Sequence, residues 1–261
     1  MRDAEDRFDG LAEQYEMHRP GYPLEAFRAL TRDIRCCTRI AVDVGAGPGN
    51  STLSLREAIG PGWSIVAIEP GRDMRRVLAR RFSAAPEVQV SDATAEEMHL
   101  PSGFASLVVA CTAFHWLDAP RFFAEAERIL APGGVLGLIR NRRKPSPVVQ
   151  AFDRYIEEQS GGISDIALRE ARKEPVIRDL AQVPGFMAAR SCTYAWESHL
   201  TARGLIDLYL TRSTLWAVVR RIGLTRVMAD LNAICAAQKL GDTPQRIEWE
   251  TTAKWARKRS A

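Results

Sequence analysis

The stretch Val42-Asp43-Val44-Gly45-Ala46-Gly47-Pro48-Gly49-Asn50-Ser51-Thr52 decides how the chain is read. It continues from Arg39–Val44, RIAVDV, an apolar run of the kind that forms a central strand of a parallel sheet. The glycines permit a sharp turn and a close approach of a ligand to the backbone. The helix predicted to follow presents free N–H groups at its start, and these favour a carboxylate or phosphate. The spacing is GxGxG. The GxGxxG fingerprint of dinucleotide-binding loops requires glycine at position 50, where this chain has Asn50. Asp43, two residues before the first glycine, either orients the loop or touches the ligand.

Working outward, Ser64–Ile68 (SIVAI), Val88–Val90, Leu107–Cys111 (LVVAC) and Val135–Ile139 (VLGLI) read as further strands. Between them lie stretches with helical spacing. Pro23 suits the first turn of a helix that carries Leu24, Phe27, Leu30 and Ile34 on one face. Met74, Val77, Leu78 and Phe82 mark another. Phe122, Phe123, Ala126, Ile129 and Leu130 mark a third, which Pro132, Gly133 and Gly134 stop. This alternation predicts an α/β fold with a doubly wound, Rossmann-like sheet. Glu69 ends the second strand, where an acidic residue suits a ribose diol, whichever cofactor carries it.

The second half differs. Arg140–Gly185 is polar and interrupted by proline, with helical stretches near Val148–Gln159 and Ala167–Gln182. Cys192, Tyr194 and Trp196 alternate with polar neighbours as in a strand, and Thr201–Ala237 reads as mostly helical. Ile247, Trp249, Thr251, Ala253 and Trp255 alternate with Glu248, Glu250, Thr252 and Lys254, the period of a half-exposed strand that is antiparallel or at an edge.

Composition narrows the classes. The 261 residues carry 36 basic and 32 acidic side chains, a net charge of +4 that does not call for nucleic acid or an anionic membrane as partner. No apolar run approaches the roughly 18 residues that span a bilayer, and the charged N-terminus does not resemble a signal peptide. The five cysteines (36, 37, 111, 192 and 235) show no CxxC spacing and suit a reducing cytoplasm. The four histidines (18, 99, 115 and 199) show no clustered ligand pattern, so no metal site is expected.

Several stretches, in order, resemble the class I S-adenosylmethionine-dependent methyltransferases, and within them the type-11 subgroup that acts on small molecules. They are Asp43–Thr52, then Ala67-Ile68-Glu69-Pro70 with Met74, then Ser91-Asp92-Ala93, Ala113-Phe114-His115-Trp116-Leu117 and Ile129–Gly134. An upstream element from Phe8 through Tyr15 to Arg19-Pro20-Gly21-Tyr22-Pro23 is also similar. The specific resemblance covers about residues 8–140. Beyond them, only the helix from Leu200-Thr201 to Ser213 and the final strand look similar.

The resemblance implies a seven-stranded sheet with its last strand antiparallel. It implies a core over 1–141 with an N-terminal lid, a largely helical cap over 142–240 interrupted by a core strand near 189–198, and a final core strand at 246–257. It implies S-adenosyl-L-methionine as cofactor, bound by Tyr15, Arg19, Gly45, Ala46, Gly47, Pro48, Asn50, Thr52, Glu69, Pro70, Met74, Asp92, Ala93, Cys111 and Phe114. Glu69 would take the ribose hydroxyls. Asp92 and Ala93 would hold the adenine, with Met74 on its face unless Met74 is simply core. Tyr15, Arg19 and Thr52 would fix the methionine end, and Cys111 and Phe114 would line the pocket near the sulfonium. Relatives often carry a polar amide or an alanine at position 111.

The expected reaction is methyl transfer by direct displacement to oxygen, nitrogen or carbon of a small-molecule acceptor. A cofactor-binding protein that does not methylate is the alternative, and Asn50 opposes a nicotinamide enzyme. His115 is the candidate general base, or else a packed histidine. Tyr15, His18 and Arg19 form either part of a lid or a solvated helix end. The basic cluster Arg140, Arg142, Arg143 and Lys144 either attracts an anionic substrate or is a solvated loop.

Overall fold

The structure, a computed structural model, describes residues 10–160 and 180–259. Its strands are β1 Ile40–Val44, β2 Ser64–Ile68, β3 Val88–Ser91, β4 Ala105–Cys111, β5 Leu130–Arg143, β6 Phe186–Leu200 and β7 Gln245–Lys258. They form one sheet in the order β3-β2-β1-β4-β5-β7-β6. The first five are parallel, and β7 runs antiparallel between β5 and β6. The expected α/β sheet with its last strand antiparallel is therefore the fold observed.

Burial explains the layers. Every residue of β4 is buried, as expected of a central parallel strand covered on both faces. Helices α1 (Ala12–His18), α2 (Leu24–Thr31), α3 (Asn50–Ile59), α4 (Arg72–Arg81) and α5 (Ala119–Ile129) flank the parallel part. Phe27 and Leu30 of α2, Leu55 of α3 and Leu78 of α4 bury with Ala41, Ile65, Leu107 and Val109 on one face of the sheet. Phe122, Phe123, Ala126 and Ile129 of α5 bury with Val42, Val108 and Leu136 on the other.

Some boundaries differ from the sequence expectation. Pro23 caps α2 from outside the helix and is not in its first turn. β5 extends well beyond Val135–Ile139 in both directions. At its start Leu130 pairs with Ala105, and at its end Asn141 and Arg143 pair with Thr251 and Trp249 of β7. The partner strand satisfies backbone groups that local sequence would leave to a loop. The helix expected over Ala167–Gln182 lies outside the described residues up to 179, as does Phe8. Leu180–Gln182 form a single 3-10 turn.

Among the described residues, four further helices follow: α6 (Pro147–Ser160), α7 (Ala202–Leu210), α8 (Ser213–Ile222) and α9 (Leu224–Ala237). The last three fill the connection between β6 and β7, beside the Leu200–Gln245 pair. Thr201 caps α7 by accepting the Gly204 N–H at 3.1 Å. Phe152, Leu205, Tyr209, Leu215, Val218 and Leu231 make a second core that closes over Ile247 and Trp249 of β7. These helices thus rest on the start of β7. Among the described residues, no helix is long and apolar enough to cross a membrane.

Gly137 marks where α2 meets the sheet. A Cβ at this position would lie 2.0 Å from Leu30 Cδ2, and Leu30 is fully buried. Gly137→Ala should overpack the contact and lower stability by about 1–3 kcal/mol. Urea unfolding of the two proteins measures it.

Candidate active site

The strand order reverses between β1 and β4, and a cleft opens beyond the carboxyl ends of the strands there, as the topology of doubly wound sheets requires. Its larger part, about 920 Å³ and partly open to solvent, is lined by Tyr15, Gly45, Gly47, Glu69, Pro70, Gly71, Met74, Thr94, Ala95, Glu96, Cys111, Thr112, Ala113, Trp116 and Leu117. A smaller compartment of about 470 Å³ is lined by Arg19, Pro20, Tyr22, Ala46, Asn50, Ser51, Asn141 and Trp249. The two share a wall formed by Tyr15, Gly45, Gly47, Cys111 and Thr112.

The glycine loop is pinned from below. The N–H groups of Gly45 and Ala46 both donate to the Ile68 carbonyl, at 2.9 and 3.0 Å. Gly45 has φ +66°, and a Cβ there would lie 2.7 Å from Ala113 Cβ. Gly47 has φ +57° and faces open space, with no heavy atom within 4 Å of where a Cβ would sit. The Glu69 carboxylate bridges the loops after β1 and β2. Its Oε2 accepts the Gly47 N–H and its Oε1 the Gly71 N–H, both at 2.8 Å. Burial raises the Glu69 pKa; these two hydrogen bonds and the nearby Arg75 oppose that rise.

Asp43 is fully buried behind the loop. Its Oδ2 accepts the hydroxyls of Ser51 and Thr52, each at 2.7 Å, so it fastens the first turn of α3 to β1. Its Oδ1 is buried without a partner. Burial lifts this carboxyl to about 6, against the two hydroxyl bonds that lower it.

The N-terminal segment closes one side. The Arg19 guanidinium lies 5.1 Å from the Tyr15 ring, and its Nε donates to Thr211 Oγ1 at 2.6 Å. Asn50 joins this segment to α4: its Nδ2 donates to the Arg19 carbonyl at 2.7 Å, and its Oδ1 accepts from Arg81. Tyr22 donates its hydroxyl proton to Thr112 Oγ1 at 2.9 Å. Thr112 is a β-branched residue at φ +51°, a conformation that needs external support. Asn141 supplies another tie, donating to the Gly21 carbonyl at 2.9 Å and accepting the Thr251 hydroxyl at 2.6 Å.

Of the residues singled out from sequence, Tyr15, Arg19, Gly45, Ala46, Gly47, Asn50, Glu69, Pro70, Met74 and Cys111 line one or both compartments. Pro48, Thr52, Asp92, Ala93, Phe114 and His115 line neither. Thr52 bonds Asp43 behind the loop, Asp92 is exposed, and Ala93 is buried. Phe114 packs against Phe122 and Phe123, with ring centroids 5.9 and 5.4 Å away. His115 is half-buried, its ring centroid 4.8 Å from that of Trp116. The sequence reading gave no site role to Thr94, Ala95, Glu96, Thr112, Asn141 or Trp249. The first three follow Asp92-Ala93 directly, and that adjacency was the available signal. Asn141 and Trp249 reach the cleft only because β5 and β7 pair. Among the described residues, no group of His, Cys, Asp and Glu side chains could hold a metal ion.

Comparison with known proteins agrees with this geometry. Residues 42–138 match the family described as methyltransferase domain. Uncharacterized methyltransferases of Mycobacterium tuberculosis and Mycobacterium bovis are 33% identical over 230 residues, 87% of this chain and 86% of theirs. A structure from Anaeromyxobacter dehalogenans, provisionally named a type II methyltransferase, superposes with a TM-score of 0.69 at 26% identity, covering 92% of this chain and 97% of that one. A phosphoethanolamine N-methyltransferase of Haemonchus contortus shares the fold at a TM-score of 0.55 and 16% identity, over 98% of this chain and 60% of that one.

The buried Asp43 has a consequence for stability. An unfolded aspartate titrates at about 3.9, and the folded Asp43 at about 6. The unfolded chain therefore loses this proton first. This group withdraws stability as pH rises from about 4 to about 6 and a constant amount above that. Asp43→Asn removes the titration, so its stability relative to the natural protein should improve between pH 4 and pH 7. Urea midpoints at both pH values give the difference.

Proposed function

The chain belongs to the class I S-adenosylmethionine-dependent methyltransferases, and from that premise we propose that it methylates a small-molecule acceptor in the manner of the type-11 subgroup. The observation that carries the reading is the shared wall at Gly45, Gly47, Cys111 and Thr112, across which contents of the two compartments would meet. The residues present fit the cofactor. Gly47 leaves open space above the loop, Glu69 offers carboxylate lone pairs at the end of β2, and Asp43 Oδ1 is a buried acceptor without a donor.

In this reading Gly45–Gly47 pass beneath the methionine and ribose, and Glu69 accepts the ribose hydroxyls. Met74 packs on the adenine beside Thr94–Glu96, with Asp92 and Ala93 at its edge. Tyr15 and Arg19 hold the methionine end, and Thr52 acts there through Asp43. Residues 10–22 are the lid, and α6 to α9 are the cap over the acceptor. The bound cofactor supplies a methyl group on a sulfonium, open to in-line displacement.

The chain's own contribution is enclosure and orientation. Among the described residues, the smaller compartment is lined by no carboxylate and no imidazole. Burial pushes the Tyr22 hydroxyl and the Cys111 thiol well above their usual ranges, so neither is a base near neutral pH. Positioning can contribute about 7–11 kcal/mol in favourable cases. That accounts for turnover of an acceptor that is already nucleophilic.

Calorimetry should detect binding of S-adenosylmethionine and none of NAD; the reverse pattern overturns the assignment. Glu69→Ala should weaken cofactor binding by more than about 1 kcal/mol, through loss of hydrogen bonds to a charged acceptor. His115 decides the role of a base. Where positioning dominates, His115→Ala lowers the rate at saturating acceptor less than about tenfold, whereas loss of a general base costs about 10²–10⁴-fold.

A further inference from the structure

Arg143 is a half-buried cation that, among the described residues, leaves one guanidinium nitrogen without a hydrogen-bond partner. It ends β5, opposite Trp249 of β7. Its guanidinium carbon lies 4.1 Å from the Tyr209 ring centroid and 5.7 Å from that of Trp249. Its Nη1 has no solvent-accessible surface and no hydrogen-bond partner. The charged groups facing it are Arg19, Arg212 and Asp153. Asp153 is already engaged, by Arg212 Nη1 and by the Tyr209 hydroxyl. Arg143 thus shares its surroundings with two other arginines and with a carboxylate that is already engaged.

The location is informative. Side chains two apart on a strand share a face, so Arg143 lies on the side of β5 that Asn141 presents to the smaller compartment. Arg143 itself lines neither compartment and stands behind Trp249, against which it packs and which lines the smaller one. Two aromatic rings flank the guanidinium, and its Nη1 is left without a hydrogen-bond partner among the described residues. A fixed guanidinium edge is the donor pair that a carboxylate or phosphate accepts in parallel. Enclosing an unpaired charge is unfavourable, and a ligand oxyanion would supply the missing partner.

We propose that Arg143 is the specificity residue of the acceptor site and binds an oxyanion, a carboxylate or a phosphate, carried by the methyl acceptor. The assignment rests on the methyltransferase reading above, in which Arg19 serves the carboxylate of the donor and Arg143 is left for the acceptor. The site would select acidic acceptors over their neutral isosteres, because a neutral group leaves the guanidinium unpaired. It also divides the basic cluster after β5. Arg142 is exposed, whereas Arg143 is half-buried with its Nη1 out of contact with solvent.

The test uses phenylacetate, phenylacetamide and phenyl phosphate as probes, titrated by calorimetry at low salt into the full chain, with S-adenosylhomocysteine titrated separately. The natural protein should bind phenylacetate or phenyl phosphate at least about tenfold more tightly than the amide, and whichever acid binds better identifies the oxyanion. Arg143→Met should abolish that preference and leave S-adenosylhomocysteine affinity unchanged. Arg143→Lys, which keeps the charge without the fork, should retain part of it. Equal binding of acid and amide by the natural protein overturns the proposal, as does a preference that survives Arg143→Met. So does a tenfold loss of S-adenosylhomocysteine affinity in Arg143→Met, which would place Arg143 in the donor site. If Arg143→Met does not fold, the natural protein's acid-to-amide ratio and Arg143→Lys decide. Failure of the methyltransferase reading would appear separately, as absence of S-adenosylhomocysteine binding by the natural protein.

Discussion

A carboxylate shared between two backbone N–H groups organises the cleft. Glu69 accepts from Gly47 on one side and Gly71 on the other, and so holds the loops after β1 and β2 at a common distance. The Ile68 carbonyl, one residue earlier, receives Gly45 and Ala46. These bonds hold the glycine loop in place although Gly45, Gly47 and Gly49 all have positive φ. The conformation is available because glycine carries no Cβ. It is maintained because the parallel pairing of β1 with β2 brings Ile68 level with Val44.

Polar groups enclosed around this frame serve different ends. Asp43 turns one oxygen toward Ser51 and Thr52 and so fastens α3 to β1, at the cost of burying a carboxyl. Asn50 reaches the other way and ties the N-terminal segment to α4 through the Arg19 carbonyl and Arg81. Loop, helix start and N-terminal segment are therefore coupled through three neighbouring polar residues on α3. A change in any of them would be felt at the shared wall of the two compartments.

The second constraint is the antiparallel pairing of β7 with β5 and β6. It carries α7 to α9 in the β6–β7 connection and sets Trp249 opposite Arg143. Trp196 stacks on Trp249 at 5.1 Å with the rings nearly parallel, and Trp249 donates to Ser198 at 2.8 Å. At the other end of the strand Trp255 donates to the buried Asp33 at 2.8 Å. β7 is thus anchored along its length, and a rigid strand is what allows a distant part of the chain to form a wall of the cleft.

What the sequence by itself determined is what local pattern encodes. Runs such as SIVAI and LVVAC are apolar on both faces, and that is enough to specify parallel strands. Glycine spacing placed the loop, and an acid at the end of β2 placed Glu69. What only the tertiary structure decided depends on pairing between segments far apart in the chain. Asn141 and Arg143 read as part of a basic loop and Trp249 as one face of an alternating strand. They meet because β5 is extended by a partner about 110 residues further on. The strain at Thr112 was equally invisible, since it is imposed from outside by Tyr22 and Asn141. Hydrophobic periodicity reports which face of an element is buried, but not which element buries it. The glycine loop and Glu69 were therefore legible, and the walls that β5 and β7 give the smaller compartment were not.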